Sequence, residues 1–384
     1  MPQEDFVALS HGGGIGAVRT LAAARRSRTL LLIKFIVNRA PRSARPAFEL
    51  LAEAGRTDPD AIARVLDYPQ VGDWVTRTAL ALRGGRPARP ADLVFIAIAA
   101  AIRAGRTGTV EVPTVRALPL PTLGVVTEGV TGSVDLAALD WRPTPRLILP
   151  GGPTLLLGDW PDAQKPPGLT LLDPVEPDLG PWRDRITASW QLLRDDHPET
   201  AEELAELVRL LVPLRALTGE NHSATVANAL GAIFLSFPPD AEEGALTLAH
   251  ELQHNKLAAL TDLFALLRPG RPALFYVPWR ADSRPADGVL HGLYAHLGVA
   301  GFWRGRARRT SAPRAHREFA RWRAATLTTA CDLLASERLT ELGRLFVGGI
   351  RQTVEEWCDE PVPARAATEA KRLADEHRTR WSAG

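Results

Sequence analysis

Two histidines and a glutamate near the middle of the chain form the pattern H-E-x-x-H: His250, Glu251 and His254. In an α-helix, residues i and i+4 lie on one face, so the two imidazoles can reach a single divalent metal ion. Glu251 then projects from the neighbouring face, where its carboxylate can bond a metal-bound water without becoming a ligand. The spacing therefore predicts a metal site with His250 and His254 as ligands and Glu251 as a catalytic carboxylate.

The segment around this motif is rich in leucine and alanine between positions 246 and 260. A helix that is apolar on most sides is usually buried. Two imidazoles and a carboxylate inside a core are costly unless something pairs with them, and a metal ion would do so. A buried helix whose histidines are satisfied by hydrogen bonds is the alternative interpretation. Because the setting is buried, the sequence favours the metal site.

A catalytic zinc or iron ion needs a third protein ligand. The extended protease pattern H-E-x-x-H-x-x-G-x-x-H is excluded, because leucine occupies both positions, 257 and 260, at which that pattern requires glycine and histidine. A thermolysin-like glutamate is also missing, since no glutamate occurs between Glu251 and Glu318. The remaining candidates follow the motif in the chain: Asp282, Asp287, His291 and His296.

His291 is the preferred third ligand. It lies near the start of a predicted helix and beside Gly292, where a glycine lets another backbone segment come close. His296 lies five residues further on, so it does not share a helix face well with His291, and it falls in an apolar run. We therefore expect one of the two to bind the metal and the other to serve as a packing or supporting residue.

The composition is that of an ordinary globular protein, with 45% hydrophobic and 23% charged residues among 384. Lysine and arginine number 46 against 44 aspartates and glutamates, so the net charge does not indicate nucleic-acid binding.

Cys331 and Cys358 lack the spacing of a zinc–thiolate site. The first residues lack a signal-peptide pattern and the apolar runs are too short to span a bilayer. The sequence predicts a cytoplasmic protein without nucleic-acid or membrane partners.

The periodicity predicts an α+β fold in two domains. Residues 1–160 form a mostly helical N-terminal domain that ends in short strands, and six prolines between positions 159 and 181 indicate a connection over residues 161–181. Residues 182–384 form a zincin-like α+β domain built on the H-E-x-x-H helix, with a strand predicted at Ala232–Ser236. The glycine-rich stretch His11–Gly16 lacks a preceding strand and a G-K-S/T, so it predicts a turn before a helix and no phosphate loop.

Several short motifs follow one another in a distinctive order: Ser223-Ala224-Thr225, Gly231-Ala232-Ile233, His250 to Leu257, Pro278-Trp279-Arg280, Arg284-Pro285 and His291-Gly292. Their order and spacing resemble a known family, the HExxH-motif proteins of gene clusters for ribosomally made peptide natural products (RiPPs), which also occur fused to radical-SAM maturases. The similarity is close from about Trp190 to Trp303. It implies an iron(II)- and 2-oxoglutarate-dependent peptide β-hydroxylase, with O₂ as cosubstrate, a precursor peptide as substrate and a radical-SAM maturase of the same pathway as a partner.

The resemblance also implies roles for individual residues. Three histidines would hold iron and leave positions for 2-oxoglutarate and O₂. The distal carboxylate of 2-oxoglutarate then needs a cation, for which Arg284 and Arg280 are the candidates; solvated loop charges are the alternative interpretation. Glu251 would make a supporting hydrogen bond or orient a bound water rather than act as a protease base.

Two other functions stay open from the sequence. One is a zinc peptidase with Glu251 as the general base, and the other is a non-enzymatic, metal-stabilised module that binds a peptide. Eight arginines between positions 304 and 323 either attract an acidic peptide or form a solvated helix face. The predicted strand Ala232–Ser236 could pair with an extended substrate.

Overall fold

A computed structural model describes residues 1–383 apart from residue 159 and the segments 162–164, 173–178, 217–220 and 271–273. The described chain has an α+β fold, as predicted, and about 60% of it is helical. None of the helices in these ranges is long and apolar enough to cross a membrane. The α-helices are Gln3–Ser10 (α1), Ile15–Arg39 (α2), Pro41–Thr57 (α3), Pro59–Leu66 (α4), Pro69–Arg83 (α5), Leu93–Arg103 (α6), Leu179–Asp196 (α7), Pro198–Leu207 (α8), Ala241–Thr261 (α9), Ala286–Arg309 (α10), Pro313–Ala335 (α11), Glu341–Cys358 (α12) and Ala364–Ala383 (α13).

The strands are short and most of them precede α9. They are Thr109–Val115 (β1), Leu118–Leu120 (β2), Gly124–Val126 (β3), Val130–Asp135 (β4), Arg142–Pro143 (β5), Arg146–Ile148 (β6), Thr154–Leu157 (β7), Leu210–Leu214 (β8), Ser223–Ala224 (β9), Ala232–Ser236 (β10), Leu274–Phe275 (β11) and Arg284–Pro285 (β12).

The chain forms two compact units, each assembled from separate segments. The first, here called the histidine unit, comprises residues 1–21, 178–207 and 238–384. The second, the sheet unit, comprises residues 22–177 and 208–237. Part of the proline-rich segment is hydrogen-bonded within the sheet unit, because the Leu172 amide donates to the Pro213 carbonyl and the Arg215 amide donates to the Thr170 carbonyl.

The sheet unit has its core around helix α6 and a five-stranded sheet. Nine consecutive residues of α6, from Leu93 to Ala101, are buried, which explains why this helix is apolar on every side. The sheet has the order β6-β7-β8-β10-β9, with β7, β8 and β10 parallel and the two outer pairs antiparallel. The β1–β4 pair forms a separate two-stranded ribbon.

One sequence prediction needs correction here. The predicted strand at Ala232–Ser236 exists as β10, but β8 and β9 pair with it on both sides, so it offers no edge to a substrate strand. The local pattern indicated the strand correctly, and pairing with residues distant in the sequence determined its neighbours.

Helices α9 and α10 pack against each other inside the histidine unit. The Asp240 carboxylate caps α9 by accepting a hydrogen bond from the Glu243 amide at 2.8 Å, and acidic residues in the first turn complement the helix dipole. Gly244 allows α7 to come close, because a Cβ there would collide with the Ser189 side chain. The H-E-x-x-H helix is thus fixed at its start and buried along most of its length.

Candidate metal centre

Helix α9 brings the two motif histidines together. The Nε2 atoms of His250 and His254 lie 3.1 Å apart, and their rings are nearly perpendicular with centroids separated by 4.7 Å. Two imidazole nitrogens bound at about 2.0–2.1 Å to one ion, with angles between about 90° and 110°, lie about 2.8–3.4 Å apart. The pair therefore has the spacing of two ligands of a single metal ion.

Both imidazoles of this pair are in the neutral form that binds metals. Burial lowers the pKa of His250, and the Glu251 charge opposes that shift only in part. Burial also lowers the pKa of His254 well below 6.5, and three neighbouring histidines lower it further. A neutral imidazole keeps a lone pair for an ion, so no proton has to be removed at neutral pH.

Glu251 occupies the position that the motif predicts for a carboxylate beside the ion. Its side chain is only 2% exposed, and its Oε1 atom lies 3.9 Å from Nε2 of His250. At that separation the carboxylate is beyond hydrogen-bonding distance of the imidazole. The Glu251 carboxylate therefore lies beside the His250 imidazole, as the motif predicts, without bonding it directly.

Helix α10 carries both histidine candidates for the third ligand to this pair. The His291 ring lies 5.9 Å from the His254 ring, at an interplanar angle of 26°. The His296 ring lies 5.5 Å from the His250 ring and is perpendicular to it. As they stand, no three His, Cys, Asp or Glu side chains among the described residues are arranged to hold a metal ion. A three-ligand site built from these histidines would require a side chain to move.

His296 is held firmly on three sides. Its Nδ1 atom bonds the Gly292 carbonyl oxygen at 2.8 Å, Trp279 stacks on its ring at 4.2 Å, and the Trp322 ring lies at 4.8 Å. Because a carbonyl only accepts, Nδ1 must carry the proton, which leaves the Nε2 lone pair unprotonated. Burial is the largest cause that lowers the pKa of His296, to about 3, so the ring stays neutral.

Gly292 makes this stacking possible. A Cβ atom at this position would lie 2.6–2.7 Å from three atoms of the Trp279 indole. The glycine beside His291 was expected to admit another backbone, and the structure shows that it admits the indole of Trp279 instead. The neighbouring Pro278-Trp279-Arg280 and His291-Gly292 motifs are therefore parts of one packing arrangement.

His291 is less constrained than His296. It is half-buried, and its ring makes no hydrogen bond to another residue in the described ranges. Burial lowers its pKa, and the Asp287 charge, one helical turn earlier, opposes the shift. Of the two candidates, His291 is the ring that can turn towards the motif pair.

The two arginines proposed for the cosubstrate share one carboxylate at the surface. The Arg280 Nε atom donates to Asp282 Oδ1 at 2.7 Å, and the Arg284 Nη1 atom donates to Asp282 Oδ2 at 3.1 Å. These hydrogen bonds lower the pKa of Asp282, which is exposed. Two cations against one anion leave this loop with a net positive charge. The Asp282 carboxylate, a candidate ligand from the sequence, is thus engaged by both arginines.

Arg321 on α11 is a further cation beside the cluster, and it was not singled out from the sequence. Its charge contributes to the lowered pKa of His296, its guanidinium lies 4.4 Å from the Trp322 ring centroid, and Glu318 lies 3.7 Å away. Its side chain is only 25% exposed. The sequence shows eight arginines in this stretch, and only the packing of α11 distinguishes this one.

The arginine-rich stretch does not form a free basic surface. Each of its eight members has a partner within the histidine unit, so neither sequence interpretation, an acidic-peptide surface or a solvated face, describes them fully. The partners include Glu360 for Arg304 and Arg308, Asp196 for Arg306 and Arg309, Glu242 and Glu243 for Arg314, Glu318 and Glu369 for Arg317, Glu318 for Arg321, and the carbonyls of Trp357 and Glu360 for Arg323.

A second polar cluster lies around the glycine-rich turn and Lys256, a fully buried residue of α9. The Lys256 Nζ atom donates to Glu203 Oε2 at 2.6 Å and to the Gly12 carbonyl at 2.7 Å. The other Glu203 oxygen accepts from the Gly14 amide, and Gln253 Nε2 also donates to the Gly12 carbonyl. The predicted turn before a helix is confirmed. It also supplies backbone groups that satisfy a buried ion pair.

Comparisons with known proteins add no family assignment. No protein-family model matches the chain. No curated protein matches it either.

Proposed function

We propose that this protein is an iron(II)- and 2-oxoglutarate-dependent hydroxylase that acts on a side-chain β-carbon of a ribosomally made precursor peptide. The observation that carries the proposal is the 3.1 Å separation of the Nε2 atoms of two neutral, half-buried imidazoles on the H-E-x-x-H helix. The peptide substrate and the radical-SAM maturase partner come from the family resemblance. The two unpaired thiols, Cys331 and Cys358, suit the reducing cytoplasm in which we propose that it acts.

In this proposal His250, His254 and His291 hold the metal, and His296 forms a fixed wall beside it. Support for His291 comes from its unbonded ring, and support for the role of His296 comes from its three contacts. Iron(II) bound there would supply the activation of O₂, with one oxygen atom entering the peptide C–H bond and the other entering succinate as 2-oxoglutarate loses CO₂.

The chain's own cations would hold the distal carboxylate of 2-oxoglutarate. Arg284 and Arg280 have a net positive charge available after pairing with Asp282, and Arg321 lies beside the histidine cluster in a less exposed setting. A guanidinium binds a carboxylate in two parallel hydrogen bonds, so any of the three has the required chemistry. A zincin-like arrangement of the histidine unit is part of the same proposal, and the buried H-E-x-x-H helix supports it.

A zinc peptidase is the second candidate, because Glu251 lies where a general base must lie. Its Oε1 atom is 3.9 Å from His250 Nε2, and a carboxylate near a metal-bound water can take up its proton. The missing third-ligand patterns of the known protease motifs count against this alternative. A peptide-binding module without catalysis is the third.

One incubation separates these functions. A candidate precursor peptide encoded beside the gene is incubated with the full chain, iron(II), 2-oxoglutarate and air, and its mass is measured along with succinate. The proposed hydroxylase adds one oxygen atom and forms succinate, and a Glu251→Gln variant retains measurable hydroxylation. Peptide cleavage with zinc that is lost in Glu251→Gln would establish the peptidase instead. Tight peptide binding without any mass change would favour the binding module.

A further inference from the structure

Strand β1 of the sheet unit has one unpaired edge. Among the described residues it pairs only with β4. The Leu136 amide donates to the Gly108 carbonyl at 2.9 Å, which fixes the alternation of the ribbon: residues 108, 110 and 112 direct their backbone groups towards β4. Thr109 and Glu111 therefore direct their N–H and C=O groups away from β4, in the arrangement that a further strand requires.

A groove of about 530 Å³ runs between β1 and helix α3. Its strand side is formed by five consecutive residues, Thr109–Pro113, and its helix side by one face of α3. Apolar side chains that include Ala47, Leu50 and Val94 contribute to the lining. An extended peptide in this groove would bond the backbone of β1 and bury every second side chain against α3.

The groove has an acidic rim. Glu49 on α3 and Glu111 on β1 are exposed, and neither forms an ion pair with another described residue. Glu53 also lines the groove and has Arg106 as a partner at 2.6 Å. Two uncompensated carboxylates on opposite walls favour a cationic occupant.

We propose that the open edge of β1 binds an extended peptide segment with alternating apolar and basic side chains, as an added antiparallel or parallel strand. The apolar residues face α3 and the lysines or arginines lie near Glu49 and Glu111. This inference does not rest on the metal site, because every residue that it uses lies in the sheet unit. The competing account is edge protection, in which Pro113 and the irregular pairing between Val112 and Val115 keep other chains away.

The test uses the full chain and a fluorescent eight-residue peptide of alternating valine and lysine, with binding followed by anisotropy. A valine–glutamate peptide is the charge control. A third peptide carries N-methyl groups on two consecutive central amides, which removes one donor from each edge of the strand. We expect the basic peptide to bind at least about tenfold more tightly than either control, because strand addition needs both opposite charge and backbone donors.

Protein variants localise the effect. The double variant Glu49→Lys/Glu111→Lys should weaken binding of the basic peptide by about tenfold, whereas Asp140→Lys, an exposed charge reversal of the sheet unit outside the groove, should leave it unchanged. Hydrogen exchange should slow at Thr109 and Glu111 when the peptide is bound. Equal binding of the N-methylated peptide, or unchanged exchange in residues 109–115, would overturn the proposal and leave edge protection as the better account.

Discussion

Helix α9 has two polar faces that are satisfied in different ways. On one face, His250 and His254 are half-buried, and their Nε2 atoms lie at hydrogen-bonding distance from each other. The other face, turned by about 200° at Lys256 relative to His254, carries a fully buried charge that bonds Glu203 and the Gly12 carbonyl. The His250 side chain is 25% exposed, so the two faces differ in exposure as well as in their partners.

In the proposed function, this contrast separates a structural polar cluster from a metal site. A buried charge that serves only the fold must find its counter-charge within the protein, as Lys256 does in Glu203. Imidazoles that would bind a metal ion are neutral and close together instead. The first two experiments below each change one face of α9 and measure the effect on the other, and the later two change residues outside this helix.

The largest effect is expected from removal of a motif histidine. His250→Ala should weaken the binding of iron(II) or zinc by at least about 100-fold, because even the loss of a residue that only supports a ligand costs 10- to 100-fold. Gln253→Ala removes a side chain that bonds the Gly12 carbonyl together with Lys256, so it is the matched control and should bind metal like the unchanged protein. Equal metal affinities for the two variants, measured by competition with a chelator, would remove the distinction between the faces.

Disruption of the ion pair should act on stability and spare the metal. Glu203→Gln leaves the Lys256 ammonium buried without a counter-charge and should cost about 3–5 kcal/mol in the free energy of unfolding. The double variant Lys256→Met/Glu203→Leu should regain much of this loss, since it removes both charges. Chemical denaturation measures these energies, and a Glu203→Gln protein of unchanged stability would contradict the structural role of this face.

His197 tests whether a neutral, half-buried imidazole can have a purely structural role. His197 stacks on Phe302 at 4.7 Å, and burial is the main cause that lowers its pKa to about 4. The unfolded chain, with an ordinary pKa of about 6.5, binds the proton first, so stability is complete above about pH 6.5 and is lost as the pH falls towards 4. Between pH 7 and pH 5 this group should cost about 2 kcal/mol.

The measurement for His197 is the free energy of unfolding at both pH values. In His197→Gln the pH dependence should shrink by that amount, while the affinity for metal at pH 7 stays the same. If the variant and the unchanged protein show the same pH dependence, the neutral state of His197 is not a source of acid sensitivity.

A smaller effect is expected at the wall of the metal face. Gly292→Ala places a methyl group against the Trp279 indole and should cost about 1–3 kcal/mol in stability as the ring is displaced. Because Trp279 also holds His296, metal affinity should fall by a modest factor. Gly348→Ala on α12 is the control, since a Cβ there meets no atom within 4 Å. Equal stabilities for the two variants would show that the stacking does not constrain the site.

Sequence reasoning located the H-E-x-x-H helix but not its surroundings. The H-E-x-x-H spacing was sufficient to place His250 and His254 on one face, because helix geometry alone determines it. The proximity of His296 to His250 was not predictable in the same way, since two helices had to be packed together first. The position of Arg321 beside the histidines was not predictable either, because it is one of eight arginines in its stretch. The strand pattern of β10 likewise did not indicate that both its edges are paired.

The fold class followed from periodicity, whereas the composition of the two units did not. The first 21 residues belong to the histidine unit, and residues 208–237 belong to the sheet unit. Such exchanges depend on contacts between residues far apart in sequence, for example the bonds from the glycine-rich turn to Glu203 and Lys256. No local pattern of glycines predicts a distant buried charge.

The most direct test of the metal centre is to count the imidazole ligands of the bound ion. The full chain is loaded anaerobically with iron(II), and X-ray absorption gives the number of imidazole nitrogens around the metal. We predict three, falling to two in His291→Ala and remaining three in His296→Ala. A bound ion with only two imidazoles in the unchanged protein, or no stoichiometric binding at all, would contradict the account.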